Sequence, residues 1–162
     1  MIQKVRTREL RQRKEDSGEA IARSMLELSK LKVPVIAIVI GEGSSGGALA
    51  LGVGNKVLML ENAIYSILSP EGYASILWKD ASRVKEAAEK MKLTAEDLYE
   101  LKVIDKIIKE PKGDTEESFV KIAKSLRKEI SNAIEEMKDM SPEMLVEDRY
   151  QKFRNMGEYI IL

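Results

Sequence analysis

Between Gly41 and Gly54 the chain reads Gly-Glu-Gly-Ser-Ser-Gly-Gly-Ala-Leu-Ala-Leu-Gly-Val-Gly, six glycines in fourteen positions. Glycine admits positive φ and leaves no Cβ between the backbone and an approaching ligand. Gly46-Gly47 precedes the small-residue turn Ala48-Leu49-Ala50-Leu51. Consecutive amides at that helix start are expected to point outward unpaired, with the positive end of the helix dipole behind them. Such amides suit an anion, or an oxygen that gains negative charge during a reaction. Three uses compete: a phosphate cradle, an oxyanion hole, or close packing with no ligand. Ser44 and Ser45 can donate hydrogen bonds to a bound oxyanion, and Glu42 either lines the site or serves the structure. The chain has no His and no Cys, so there is no catalytic triad, thiol nucleophile or zinc ribbon, and the serines lack a base partner.

Gly41, Gly43 and Gly46 spell G-x-G-x-x-G, with Glu61 about where a ribose contact would stand. A dinucleotide-binding crossover needs a helix of several turns. Here Gly52-Val53-Gly54-Asn55 interrupts after about seven residues and the next strand candidate begins at Val57. A Walker loop is excluded, because no Lys-Ser or Lys-Thr closes the run.

Several elements must position this loop. Asp16 to Lys30 reads as an amphipathic helix, Asp16 capping it with Glu19, and Ile21, Met25 and Leu28 on one face. Pro34 to Ile40 is continuous and β-branched, the pattern of a strand covered on both faces, hence of a parallel or mixed sheet. Val57–Leu60 and Ile64–Leu68 are two more strands. Ser69-Pro70-Glu71 opens a helix to Trp78, and Glu71 serves its first turn. Helices follow from Ser82 to Met91 and from Thr94, and Val103–Ile108 returns to the sheet. Asp114 with Glu117 predicts a capping box on a long helix that buries Phe119, Ile122, Leu126, Ile130, Ile134 and Met137; Ser141-Pro142 opens a last helix ending near Arg154. Trp78 and Tyr73 read as packing residues, and Met137, Met140, Met144 and Met156 as core and interface filler. The two C-terminal helices are expected to pack on a neighbouring subunit. The implied divisions are a basic lead-in over 1–14, an α/β core over 15–110 and a C-terminal helical extension over 111–162.

Composition narrows the class. Lys+Arg and Asp+Glu are both 27 in 162 residues, which gives no global footprint for nucleic acid. The apolar stretch Val33–Ile40 is too short to cross a bilayer and no signal-peptide pattern stands at the start, so a soluble cytoplasmic protein is expected.

One resemblance gathers these features. The segment from Leu31 to Asp80 resembles the carboxyltransferase alpha subunit of bacterial multisubunit acetyl-CoA carboxylase. It is carried by Gly-Glu-Gly, Gly-Gly-Ala-Leu, Asn55-Lys56-Val57, Tyr65-Ser66, Ser69-Pro70-Glu71-Gly72 and Ser75-Ile76-Leu77-Trp78-Lys79. Glu19-Ala20-Ile21-Ala22-Arg23 and Asp148-Arg149-Tyr150-Gln151-Lys152-Phe153-Arg154 agree as well. The resemblance implies an α/β, crotonase-like spiral of β-β-α units, partial here, with a C-terminal helical extension. It implies transfer of a carboxyl group from carboxybiotin, held on a biotin carboxyl carrier protein, to acetyl-CoA, giving malonyl-CoA for fatty acid synthesis. By analogy Gly46 and Gly47 supply catalytic amides to the carboxybiotin carbonyl oxygen, while Glu42, Gly43, Ser44 and Ser45 line the substrate site. A carboxyltransferase beta subunit is the implied partner and no metal is bound by this chain. Departures are also visible. The match covers the second half of the usual alpha subunit, Met1–Lys14 does not align, and Glu110-Pro111-Lys112-Gly113-Asp114 replaces a Gly-Gly-Ala-His segment. Few strands leave an edge and an apolar face, so an oligomer or a partner is expected. Two other readings stay open: a noncatalytic assembly module, and another crotonase-type acyl-CoA enzyme (a hydratase or decarboxylase) working through Glu42 or Glu71.

Overall fold

The computed structural model describes residues 18–113 and 115–157. Asp16 and the basic lead-in 1–14 lie outside them. Helix α1 runs over residues 18–30, with Ile21, Met25 and Leu28 half-buried on one face. Strand β1 (Ile36–Val39), β2 (Glu42–Ser44), α2 (Ser45–Leu51), β3 (Lys56–Leu60) and β4 (Ile64–Ser66) follow. Then come α3 (Pro70–Trp78), a 3-10 turn (Ala81–Arg83), α4 (Val84–Lys90), α5 (Ala95–Glu100) and β5 (Lys106–Ile108), and finally α6 (Glu116–Met137) and α7 (Pro142–Arg154).

Two small parallel sheets carry the fold. One has the order β1-β3-β5, with Ile36 opposite Lys56 and Leu58 opposite Lys106; the other pairs β2 with β4, Gly43 opposite Tyr65. Parallel strands need crossovers, and α2 and α3–α5 supply them. The core forms on β3, whose Val57, Leu58, Met59 and Leu60 are all buried among Ala63, Ala95, Leu98, Ile104 and Ile108. Burying one such large apolar side chain is worth about 1.5–3 kcal/mol. α6 covers this core with Ile122 and Leu126, and its far end joins Leu145 through Ala133 and Met137.

Several expectations are corrected. β1 is only half-buried along its length, because it stands at a sheet edge with β3 as its one strand neighbour among the described residues. β2 was not anticipated: Glu-Gly-Ser has little strand propensity, and pairing with β4 imposes the extended form. β5 starts at Lys106 rather than Val103. Thr115 caps α6, its side chain accepting from Ser118 N–H, whereas Asp114 lies outside the described residues. Phe119 and Ile134 of α6 are exposed, as is Met144 of α7.

The C-terminal helices return to the core. Arg149 on α7 is 1% exposed and donates to the carbonyls of Leu28, Ser29, Leu31 and Val33 at 2.9–3.1 Å, so it closes the open end of α1. Its other donor reaches Asn55 Oδ1 at 2.7 Å. Asn55 Nδ2 in turn donates to Leu145 O and Asp148, both at 2.8 Å. Lys152 bonds Asp105, which itself accepts from Val57 N–H at 2.6 Å. Burial holds the Lys152 ammonium below its ordinary pKa, against the pull of Asp105.

Candidate active-site loop

The glycine run occupies β2, the β2–α2 joint, α2 and the turn into β3. The handover from strand to helix takes a single residue. Ser44 is extended at φ −140°, ψ 153°, and Ser45 adopts φ 66°, one of four described non-glycine residues with positive φ. A left-handed L-residue costs about 1–2 kcal/mol, and such strain persists only where its surroundings enforce it. None of the six glycines in the run takes positive φ; in the described chain only Gly113 and Gly157 do. Their backbone freedom is therefore not why they stand there.

Space explains four of them. A Cβ on Gly43 would sit 3.2 Å from Tyr65 Cδ2, and one on Gly46 would press Ile21 of α1 at 3.3 Å. One on Gly52 would collide with the Tyr65 hydroxyl, and one on Gly54 would meet the carbonyl oxygens of Val35 and Lys56 at 2.9 and 3.1 Å. Gly41 and Gly47 differ, because a Cβ there meets nothing within 4 Å. Close packing thus accounts for Gly43, Gly46, Gly52 and Gly54, and leaves Gly47 on α2 facing open space.

The amides are not equivalent. Gly46 N–H donates to the Ser45 Oγ beside it at 2.6 Å, contrary to the expectation that both amides stand unpaired. Gly47 N–H lies in the first turn of α2, where a helix leaves its amides without an intrahelical acceptor, and Ser44 makes no side-chain cap there. Ser66 Oγ donates to Ser44 Oγ at 3.3 Å, tying β4 to the helix entry. Glu42, Ser44, Ser45 and Gly47 are exposed and Gly43 and Gly46 half-buried. A groove of about 220 Å³ runs beside the loop, lined by residues of β1 and β2, including Glu42 and Gly43, and by Ala48, Leu51, Gly52 and Tyr65. Glu71 fills the first turn of α3, where Ser69 Oγ accepts from Gly72 N–H at 3.2 Å. Trp78 packs edge-on to Tyr73, its ring centroid 5.6 Å away, with Arg83 over its face at 4.0 Å. Among the described residues no group of three or more Asp or Glu is placed to hold a metal ion, and no helix is long and apolar enough to cross a membrane.

Tyr65 and Ile21 fix the loop, yet sequence reasoning assigned neither to it. The signal for Tyr65 was register: a tyrosine directly across from a strand glycine shields the backbone that the glycine exposes.

Solved structures place the fold. The chain superimposes with TM-score 0.64 on a chain of a Pseudomonas malonate decarboxylase hetero-tetramer in complex with coenzyme A, at 15% identity, covering 82% of this chain and 52% of that one. A transcarboxylase 12S structure matches with TM-score 0.57 at 22% identity, covering 72% of this chain and 22% of the other. Parallel sheets joined by helical crossovers, with an amide-bearing loop at a strand–helix joint, define a partial crotonase-like α/β fold.

Sequence similarity narrows this. The family model described as acetyl co-enzyme A carboxylase carboxyltransferase-like matches residues 9–157, and the chain belongs to that family. The acetyl-coenzyme A carboxylase carboxyl transferase subunit alpha of Clostridium botulinum is 59% identical over 140 residues, 86% of this chain and 51% of the relative. The protein of the same name from Staphylococcus saprophyticus is 53% identical over 142 residues, 88% of this chain and 45% of the relative. The chain therefore spans about half the length of the curated relatives it matches.

Proposed function

We propose that this chain acts as a carboxyltransferase alpha-type subunit, moving a carboxyl group from carboxybiotin to acetyl-CoA to give malonyl-CoA. The observation that carries the reading is the place of Gly47: it is exposed and its N–H lies in the first turn of α2, where a helix leaves its amides without an intrahelical acceptor. Carboxybiotin, presented by a biotin carboxyl carrier protein, supplies the carboxyl group, and its carbonyl oxygen gains negative charge as that group leaves. Gly47 N–H donates to this oxygen, and Gly46 N–H joins it once Ser45 Oγ turns away. Gly43 and Ser44 hold the loop on β4, and Glu42 lines the groove beside it. One oxyanion donor of this kind is worth about 3 kcal/mol in the transition state. No histidine is required, in keeping with a chain that has none.

The remaining half of the fold, the acetyl-CoA thioester pocket and a second amide pair come from a beta subunit or other polypeptide in this reading. The C-terminal helical extension over 111–162 braces the 15–110 core, and the complex works in the cytoplasm. Biotin-dependent decarboxylation of malonyl-CoA, with and without a carboxyltransferase beta subunit, tests the proposal. Turnover that requires both this chain and biotin is the expected result. Co-purification with a beta subunit but no turnover selects a noncatalytic assembly module. Enoyl-CoA turnover without biotin, lost on changing Glu42 or Glu71, selects a different acyl-CoA enzyme.

A further inference from the structure

We propose that Tyr65 is a positioning residue for the carboxyl transfer assigned above: its ring fixes α2, and with it the Gly47 amide. The inference rests on that functional reading and adds a residue to it.

The geometry is a three-way interlock. Tyr65 stands in register with Gly43 on the neighbouring strand, and its ring fills the space that a side chain at Gly43 would take. Its hydroxyl reaches over Gly52, the residue that ends α2, so closely that a Cβ there would overlap it. That hydroxyl also donates to Ala48 O at 3.4 Å, the same carbonyl that accepts Gly52 N–H at 2.9 Å. One ring thus touches the strand that enters α2, a carbonyl in its middle and the glycine at its end. The backbone of Tyr65 is itself anchored, its N–H donating to Leu93 O at 3.3 Å. α2 spans seven residues, too short to hold its own shape in water. The aim of its amides must therefore come from what clamps it. Burial raises the Tyr65 phenol above its ordinary pKa, so the hydroxyl stays a donor through the neutral range.

A tyrosine that only filled the core would act through stability alone. A positioning residue changes the local order of α2 and the chemical step while leaving substrate affinity in place. Two measurements separate these roles on Tyr65→Ala, Tyr65→Phe and Gly52→Ala. The first is hydrogen–deuterium exchange of the isolated chain, comparing α2 with β3. The second is biotin-dependent malonyl-CoA decarboxylation with the beta subunit. In Tyr65→Ala, exchange over α2 should speed up about tenfold with β3 unchanged. The same variant should lose kcat on the order of 10²-fold, as expected for a misplacement of about 1 Å, with KM for malonyl-CoA unchanged within about twofold. Tyr65→Phe, which keeps the ring against Gly43 but loses the hydroxyl's contacts with Ala48 O and Gly52, should restore both only in part. Gly52→Ala should resemble Tyr65→Ala, and adding Tyr65→Ala to it should cost little more, because the clashing ring is gone.

Wild-type-like exchange of α2 in Tyr65→Ala overturns the clamp. Loosened α2 with unchanged kcat overturns its role in transfer, and faster exchange throughout the chain reduces Tyr65 to a stability residue. Absence of turnover in the wild type would instead fail the function proposed above, and the exchange comparison would still decide whether Tyr65 holds α2.

Discussion

Ser45 is the point where the chain pays in backbone strain to turn a strand into a helix without a linker. Its left-handed φ of 66° throws the peptide that follows outward, and its hydroxyl occupies the amide it has exposed. The next residue, Gly47, is exposed and has open space where a side chain would stand. Gly47→Val should therefore leave the thermal midpoint within about 2 °C of wild type. The same change should lower carboxyl transfer by about 10²–10³-fold by blocking approach to the amide; scanning calorimetry beside the malonyl-CoA assay checks both halves. Ser45→Ala removes the internal acceptor of Gly46 N–H. Transfer in that variant should stay within about threefold of wild type, since the amides and not the hydroxyl carry the donor function. A loss approaching the Gly47→Val effect would show that the serine hydroxyl itself holds the substrate.

Among the elements, the corner between β3 and β4 is clamped to the end of β5 by two carboxylates. Glu61 accepts from Lys109 Nζ at 2.6 Å and from Glu110 N–H at 3.1 Å, while Glu110 accepts from Asn62 N–H at 2.7 Å. The Lys109 ammonium, then the Glu110 amide, hold the Glu61 carboxyl below its ordinary pKa of 4.5. In that window the unfolded chain binds the extra proton, so this contribution is present above pH 4.5 and is lost as pH falls through the folded value. Urea midpoints of wild type and Glu61→Gln should therefore differ more at pH 7 than at pH 3. The difference should be small throughout, because the pair is exposed. Much at this scale was legible beforehand. Ser69, Thr94 and Ser141 accept from the amides that cap residues serve, and the apolar runs of β1, β3 and β4 lie in parallel strands. What escaped has definite causes. Glu42-Gly43-Ser44 is a strand only because β4 pairs with it. Phe119 and Ile134 obey the helical period but fall beside the narrow stripe of Ile122, Leu126, Ala133 and Met137 that meets the rest of the chain. Arg149 on a charged helix reads as solvated, and its burial becomes visible only once the carbonyls it serves are brought within reach. In the candidate active-site loop the glycines were legible as a group, but which of them pack and which lie open depends on Tyr65 and Ile21.

As a whole molecule, the chain is a half-closed structure. Ile40, Leu51 and Ile67 are 65%, 74% and 65% exposed, and β1 has one edge without a strand partner among the described residues. A groove of about 800 Å³, lined by Met25, Leu26, Val53, Tyr150 and Phe153, adds apolar surface between α1 and α7. Surfaces of this kind associate, and the chain spans only about half of its relatives. Ile40→Lys should reduce self-association in sedimentation velocity without lowering the thermal midpoint, since the side chain lies outside the core. Unaltered sedimentation would move the associating surface elsewhere. The Arg149 contacts have a temporal consequence. The carbonyls they satisfy lie 116–121 residues earlier in the sequence. At about 5–20 residues per second of synthesis, the guanidinium is made roughly 6–24 s after its acceptors. Throughout that interval water must stand in for it, and α1 waits for the residue that will lock it down.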